Sequence, residues 1–115
     1  MEIKERGFGT MTIGGKDRGF HIGTYQSKVF CDTRGIKLDD YFEELNKFNF
    51  TNSMANNQFV CDLLYSALVA YATFHDEPID FTPVKVTFWA DMASPDEVAK
   101  LFVVMAEMRR DTPKK

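Results

Sequence analysis

Between Phe59 and Phe74 the chain passes through Phe59, Val60, Leu63, Leu64, Ala67, Leu68, Tyr71, Ala72 and Phe74, with Asp62 as its single charge. The apolar residues recur at helical intervals on nearly every side, so the segment reads as a helix from about Met54 to His75 without a polar face. Such a helix must be enclosed by its own fold or covered by another chain, and central burial is the simpler expectation. Bilayer crossing is not expected, because spanning takes roughly 20 predominantly apolar residues and Asp62 interrupts a shorter run.

The cover has to come from what remains of 115 residues, which is enough for one core and too few for two. Gly9-Thr10-Met11-Thr12-Ile13 alternates polar and apolar, Gly14-Gly15-Lys16-Asp17 is a turn signal, and Arg18-Gly19-Phe20-His21-Ile22 resumes the alternation. That is a β-hairpin. Tyr25, Val29 and Phe30 then fall at helical spacing, and Gly35 suits the left-handed position past a helix end. A second helix is expected near Asp39, with Asp40 and Glu43 at capping-box spacing, and Thr51, Asn52 and Ser53 are candidate caps for the long apolar helix.

Phe81 to Trp89 is ambiguous, since Val84, Val86 and Phe88 alternate like a strand. Thr82-Pro83 has the form of an N-cap followed by proline at the first helical position, and on that ground a helix is expected. Ser94-Pro95-Asp96-Glu97 reads as a capping box that opens a last helix, with Val98, Leu101, Phe102, Met105 and Met108 on one face and fraying at Arg109-Arg110. The expected class is α+β: an N-terminal hairpin followed by about five helices in a single domain. Residues 1–8 are expected to be a leader, 9–110 the domain, and 111–115 a flexible tail.

Charge narrows the function classes. Fourteen bases against seventeen acids give a net charge of −3, without the basic stripe of a general nucleic-acid binder. Its distribution is uneven: residues 1–37 carry seven bases and four acids, 38–99 two bases and eleven acids, and 100–115 five bases and two acids. The resulting pattern of positive, negative, positive suits a chain folding its ends onto its middle, and equally suits head-to-tail association.

Catalytic and metal-binding patterns are absent from the sequence. Cys31 and Cys61 have no CxxC or Cys/His ligand spacing, and both sit in apolar helical patterns as expected buried free thiols. His21 lies in a strand pattern, and His75 ends the apolar helix as an expected C-terminal hydrogen-bond partner. Asp39, Asp40, Glu43 and Glu44 have no companion histidine, and Asp76, Glu77 and Asp80 lack EF-hand spacing. Gly14-Gly15-Lys16-Asp17 leads into a strand, unlike a phosphate-cradling loop. We therefore expect no enzyme activity, cofactor or metal. Met1-Glu2-Ile3-Lys4-Glu5-Arg6 lacks the apolar segment of a signal peptide, which favours a cytoplasmic protein.

The hairpin with Met11-Thr12-Ile13-Gly14-Gly15-Lys16, the turn Thr33-Arg34-Gly35-Ile36, and the late pair Phe81-Thr82-Pro83-Val84 and Ser94-Pro95-Asp96-Glu97 together resemble the tail assembly chaperones of long-tailed bacteriophages over residues 9–110. The segment before residue 9 and the aromatic-rich stretch Phe42 to Phe59 depart from that pattern. The resemblance implies a non-enzymatic protein of the bacterial host cytoplasm that coats the tape measure protein and recruits tail tube subunits. It also implies a longer form made by ribosomal slippage near Lys114-Lys115. Leu64, Phe81, Phe88 and Trp89 are the candidate partner-binding residues, and association between copies is expected. The competing expectations are a small ligand-binding or enzymatic domain with a pocket near Tyr71, His75 and Asp76, and a phage regulatory protein.

Overall fold

A computed structural model describes residues 6–48 and 53–110. Its order is β1 (Phe8–Ile13), β2 (Lys16–His21), α1 (Thr24–Arg34), a 3-10 turn at Leu38–Asp40, α2 (Tyr41–Asn46), α3 (Met54–Phe74), α4 (Pro83–Met92) and α5 (Pro95–Arg110). This is the expected α+β arrangement of one antiparallel hairpin followed by five helices. Three boundaries are corrected. The hairpin turn is the two-residue Gly14-Gly15, with Lys16 already paired to Ile13. Both glycines have positive φ, 65° and 83°, as the tight turn that matches strand twist requires. The domain also starts before residue 9: Phe8 pairs with His21, and the Gly7 carbonyl accepts from the Ile22 amide at 2.9 Å. Finally, α5 continues through Arg110. Thr51, Asn52, most of the expected leader and the expected tail with Lys114-Lys115 lie outside the described residues.

The core forms around α3. Met11, Ile13 and Phe20 of the hairpin, Phe30 and Cys31 of α1, Val86 of α4 and Leu101 and Met105 of α5 are buried with Phe59, Leu63, Leu64, Ala67 and Leu68. Phe48 stacks on Phe59 at 4.8 Å and on Phe102 at 5.5 Å, joining α3 and α5 through one ring. Tyr25 departs from expectation. It is exposed, and Gln26 occupies the inward position on α1.

Polar groups inside this core are partnered. Gln26 Nε2 donates to Ser66 Oγ at 3.0 Å, Ser66 donates to the Leu63 carbonyl at 2.7 Å, and Gln26 Oε1 accepts from the Tyr41 hydroxyl at 3.3 Å. Unsatisfied, these groups would each cost about 1–3 kcal/mol, so the network fixes how α1, α2 and α3 meet. Asp62 has the same kind of explanation. Arg34 reaches Asp62 at 2.9 Å and Glu44 at 3.0 Å, while Gln58 donates to the other Asp62 oxygen at 2.8 Å. The guanidinium also lies near the Phe30 and Phe59 rings. One arginine thus ties three helices and neutralises the charge that interrupts α3.

The helix ends follow local chemistry. Gly35 takes the left-handed conformation at the end of α1, with the Ile36 amide donating back to the Cys31 carbonyl. After α3 an aspartate fills that role: Asp76 has φ 56°, and the Glu77 amide donates to the Ala72 carbonyl at 2.8 Å. His75 Nδ1 meets the Tyr71 carbonyl at 3.1 Å. Ser53 caps α3 through the Asn56 amide and Thr82 caps α4 through the Lys85 amide. The capping box expected from Asp40 and Glu43 does not form: Asp40 makes no side-chain cap, and α2 begins at Tyr41, after the 3-10 turn, rather than near Asp39. At α5, Ser94 Oγ accepts from the Asp96 amide, but Glu97 does not complete a capping box. Its Oε1 accepts from the Thr12 amide on β1 at 2.7 Å. That bond, with Lys100 beside it, holds the Glu97 carboxyl below its ordinary titration range.

Candidate partner-binding surfaces

The enclosure of α3 reassigns the candidate residues. Leu64 is fully buried on all sides by the chain itself, and Phe81 is buried against Tyr65 and Trp89. Neither presents surface to a partner. Trp89 is half-buried at the hairpin turn, where a Cβ on Gly14 would come within 2.6 Å of its ring. Arg18 stacks over Trp89 at 4.2 Å, approaches Asp80 at 3.5 Å and donates from Nε to the Ile13 carbonyl at 3.1 Å. Trp89 is therefore the joint between α4 and the hairpin. Only Phe88 of the four is well exposed.

Phe88 is part of a stripe that the sequence reading missed. Val84, Phe88 and Met92 are spaced four residues apart on α4 and stay 67%, 60% and 75% exposed. Val86 faces the core from the opposite side of the same helix. The alternation of Val84, Val86 and Phe88 thus reflects a helix that is apolar on both sides. The i, i+4, i+8 spacing was the available signal.

A second apolar surface is concave. A groove of about 640 Å³ lies at the open end of the hairpin, between the start of α1, the Leu38 turn with α2, and the last turns of α5. Leu38, Tyr41, Phe42 and Leu45 form one wall, and Met105 and Met108 another. Phe42 and Leu38 remain exposed at its lip. Arg6 closes one end, its guanidinium donating to the Met108 carbonyl at 3.2 Å.

The site expected near Tyr71, His75 and Asp76 is organised differently. A polar cleft of about 320 Å³ runs along Lys16 to Gly19, Tyr71 and Glu77 to Phe81, and the Arg18–Asp80 pair belongs to its lining. His75 and Asp76 lie outside it, with the His75 ring tilted against Tyr71 at a centroid distance of 4.1 Å and close to Phe8 and Phe74. Cys31 and Cys61 are buried free thiols, and burial pushes both up from the ordinary thiol value, away from reactive thiolate. Among the described residues no three His, Cys, Asp or Glu side chains gather as a metal site, and no helix is long and apolar enough to cross a membrane.

Comparison with known proteins returns nothing. No family, characterised protein or solved structure matches this chain. The molecule carries a convex apolar stripe on α4 and a concave apolar groove between α2 and α5.

Proposed function

We propose that this chain is a non-enzymatic assembly chaperone of the long-tailed-phage kind, working in the bacterial cytoplasm, that binds a helical segment of the tape measure protein and recruits tail tube subunits. The observation that carries the reading is the apolar groove between α2 and α5. Its walls of Leu38, Tyr41, Phe42, Leu45, Met105 and Met108 have the chemistry that takes the apolar face of an amphipathic helix. Methionines at its far wall suit a surface that must accept varied side chains along a long partner. The tight Gly14-Gly15 turn before Lys16 and the Gly35 helix end before Ile36, the residues that bear the resemblance, are consistent with it.

Co-expression with the tape measure protein tests this reading. The wild-type chain is expected to co-purify with it, and Phe42→Glu, at a 63% exposed lip position, to fold normally and lose the complex. Failure of wild type to co-purify overturns the function. Equal recovery of wild type and Phe42→Glu overturns the groove as its site.

A further inference from the structure

The groove between α2 and α5 is apolar along its walls and charged at one end alone. Its volume of about 640 Å³ falls within the roughly 300–1,000 Å³ of sites that enclose small ligands, and Leu38, Phe42, Leu45 and Met105 give it apolar sides. Arg6 is the one charged residue among the described residues that line it, and Thr24 and Ser27 add hydroxyls to the lining. The bond from the Ile22 amide to the Gly7 carbonyl brings Arg6 to the start of α1, because Arg6 and Gly23 are the next residues on the two joined segments.

Arg6 differs from the other arginines whose side chains are described. Arg18 reaches Asp80 at 3.5 Å, and Arg34 reaches Asp62 at 2.9 Å and Glu44 at 3.0 Å. Arg6 donates to the Met108 carbonyl at 3.2 Å, which holds its head at the end of the groove, and among the described residues it meets no carboxylate. A guanidinium has five N–H donors, so donors remain for an incoming anion. The charges on the rim are mixed: Lys37 and Lys47 stand among Asp39, Asp40 and Glu43 on the α2 side, and Glu107 precedes Met108 on α5. All six are exposed, and none of them lines the groove.

We propose that the groove binds a free carboxylic acid with a single alkyl chain, the chain lying between the α2 and α5 walls and the carboxylate against the Arg6 guanidinium. An apolar tail with one anionic end matches the lining at both places, whereas a neutral or cationic amphiphile leaves Arg6 unanswered. Flexible, unbranched Met105 and Met108 can follow tails of different length and bend. A free acid is favoured over a lipid held in a bilayer, because a membrane surface is gripped by clustered bases, and the α2 rim sets three acids beside its two lysines. This binding does not rest on the chaperone reading. Where that reading also holds, the acid and the partner helix compete for one groove, and the acid regulates assembly.

Calorimetric titration of the full chain with sodium decanoate, kept below its micelle concentration at neutral pH, is the test. One decanoate per chain is expected, with decanol bound more weakly and decyltrimethylammonium more weakly still. Arg6→Met keeps an apolar stem and removes the charge, so it is expected to weaken decanoate roughly tenfold, the worth of a hydrogen bond to a charged group, and to leave decanol unchanged. Phe42→Glu is expected to abolish binding, and Phe88→Glu, on the exposed stripe of α4 outside the groove, to bind as wild type does. Circular dichroism checks folding, and Leu38→Glu replaces Phe42→Glu if that variant unfolds. Absence of saturable decanoate binding overturns the proposal, and if the tape measure protein still co-purifies, the groove takes a helix only. Equal decanoate affinity in wild type and Arg6→Met overturns it as well. So does uptake of many molecules per chain, or loss of binding in Phe88→Glu, since either means adsorption to exposed apolar surface. Binding to phosphatidylglycerol vesicles without binding to free decanoate overturns it in favour of a membrane.

Discussion

Helices α3 and α4 are both apolar on nearly every side, yet their fates differ. Eleven of the residues of α3, all between Phe59 and Ala72, are buried, and its one acid is neutralised by Arg34. In α4 only Val86 is buried, and the far side of the helix faces solvent. The difference lies in what surrounds each helix. α3 has the hairpin, α1 and α4 against it, whereas α4 has α3 and the hairpin turn on one side alone. Lack of a polar face therefore establishes that a helix needs cover, and leaves open whether the chain supplies it.

The strongest way to break this contrast is to place a charge on each helix. Leu64→Asp puts an unpaired carboxylate where no water reaches and removes a fully buried leucine. Leucine truncation in a core alone costs about 3–5 kcal/mol, and the buried charge adds to it. With total stability typically about 5–15 kcal/mol, we expect loss of the cooperative thermal transition. A soluble, folded Leu64→Asp monomer would mean that α3 is an interface helix after all. Phe88→Glu is the counterpart, expected to change the folding free energy by about 0.5 kcal/mol or less.

This contrast explains why some of the molecule was legible beforehand. The hairpin, the five helices, the Gly35 end of α1 and the Thr82-Pro83 start of α4 depend on residues within one turn of each other, and local patterns report local physics. Cover is non-local. Leu64 and Phe81 read as sticky because nothing in their own segments says that the hairpin and α4 close over them. The groove was invisible for the same reason, since Leu38, Phe42 and Met105 lie in three segments that only the fold brings together. Phe88 was found as a large aromatic, but the strand-like alternation of Val84, Val86 and Phe88 obscured the four-residue spacing of its stripe.

A middle-sized effect sharpens the account of α3 itself. Arg34→Met removes the cation shared by Asp62 and Glu44, which also lies near the Phe30 and Phe59 rings, and leaves two partly enclosed carboxylates without it. Stripping one partner from a buried pair costs about 3–5 kcal/mol, and partial access to water here lowers the expectation to about 2 kcal/mol by urea unfolding. Adding Asp62→Leu should recover part of that loss, because the helix would then carry no charge to neutralise. If Arg34→Met alone is neutral, Asp62 is solvated and α3 is less enclosed than described.

The smallest effect concerns the seam between α5 and β1. Glu97 stands where a capping box would bend its carboxylate back to its own helix, and that carboxylate instead accepts the Thr12 amide of β1 while Lys100 pairs with it. Both neighbours favour the ionised form, so folding lowers the Glu97 titration point. A group whose folded value lies below its unfolded one contributes stability at pH above the unfolded value and loses it as pH falls through the folded value. We therefore expect wild type to be modestly more stable than Glu97→Gln at neutral pH, since the amide keeps an acceptor for Thr12 but gives up the charge. As pH drops below the ordinary carboxylate value of 4.5, protonation makes the two side chains alike and the gap closes. The position is exposed, so raising the salt concentration at neutral pH should narrow the same gap from the Lys100 side. A difference between wild type and Glu97→Gln that stays constant from neutral to strongly acid pH would assign the bond a purely neutral, geometric role. The carboxylate would then matter only as an oxygen in the right place for Thr12.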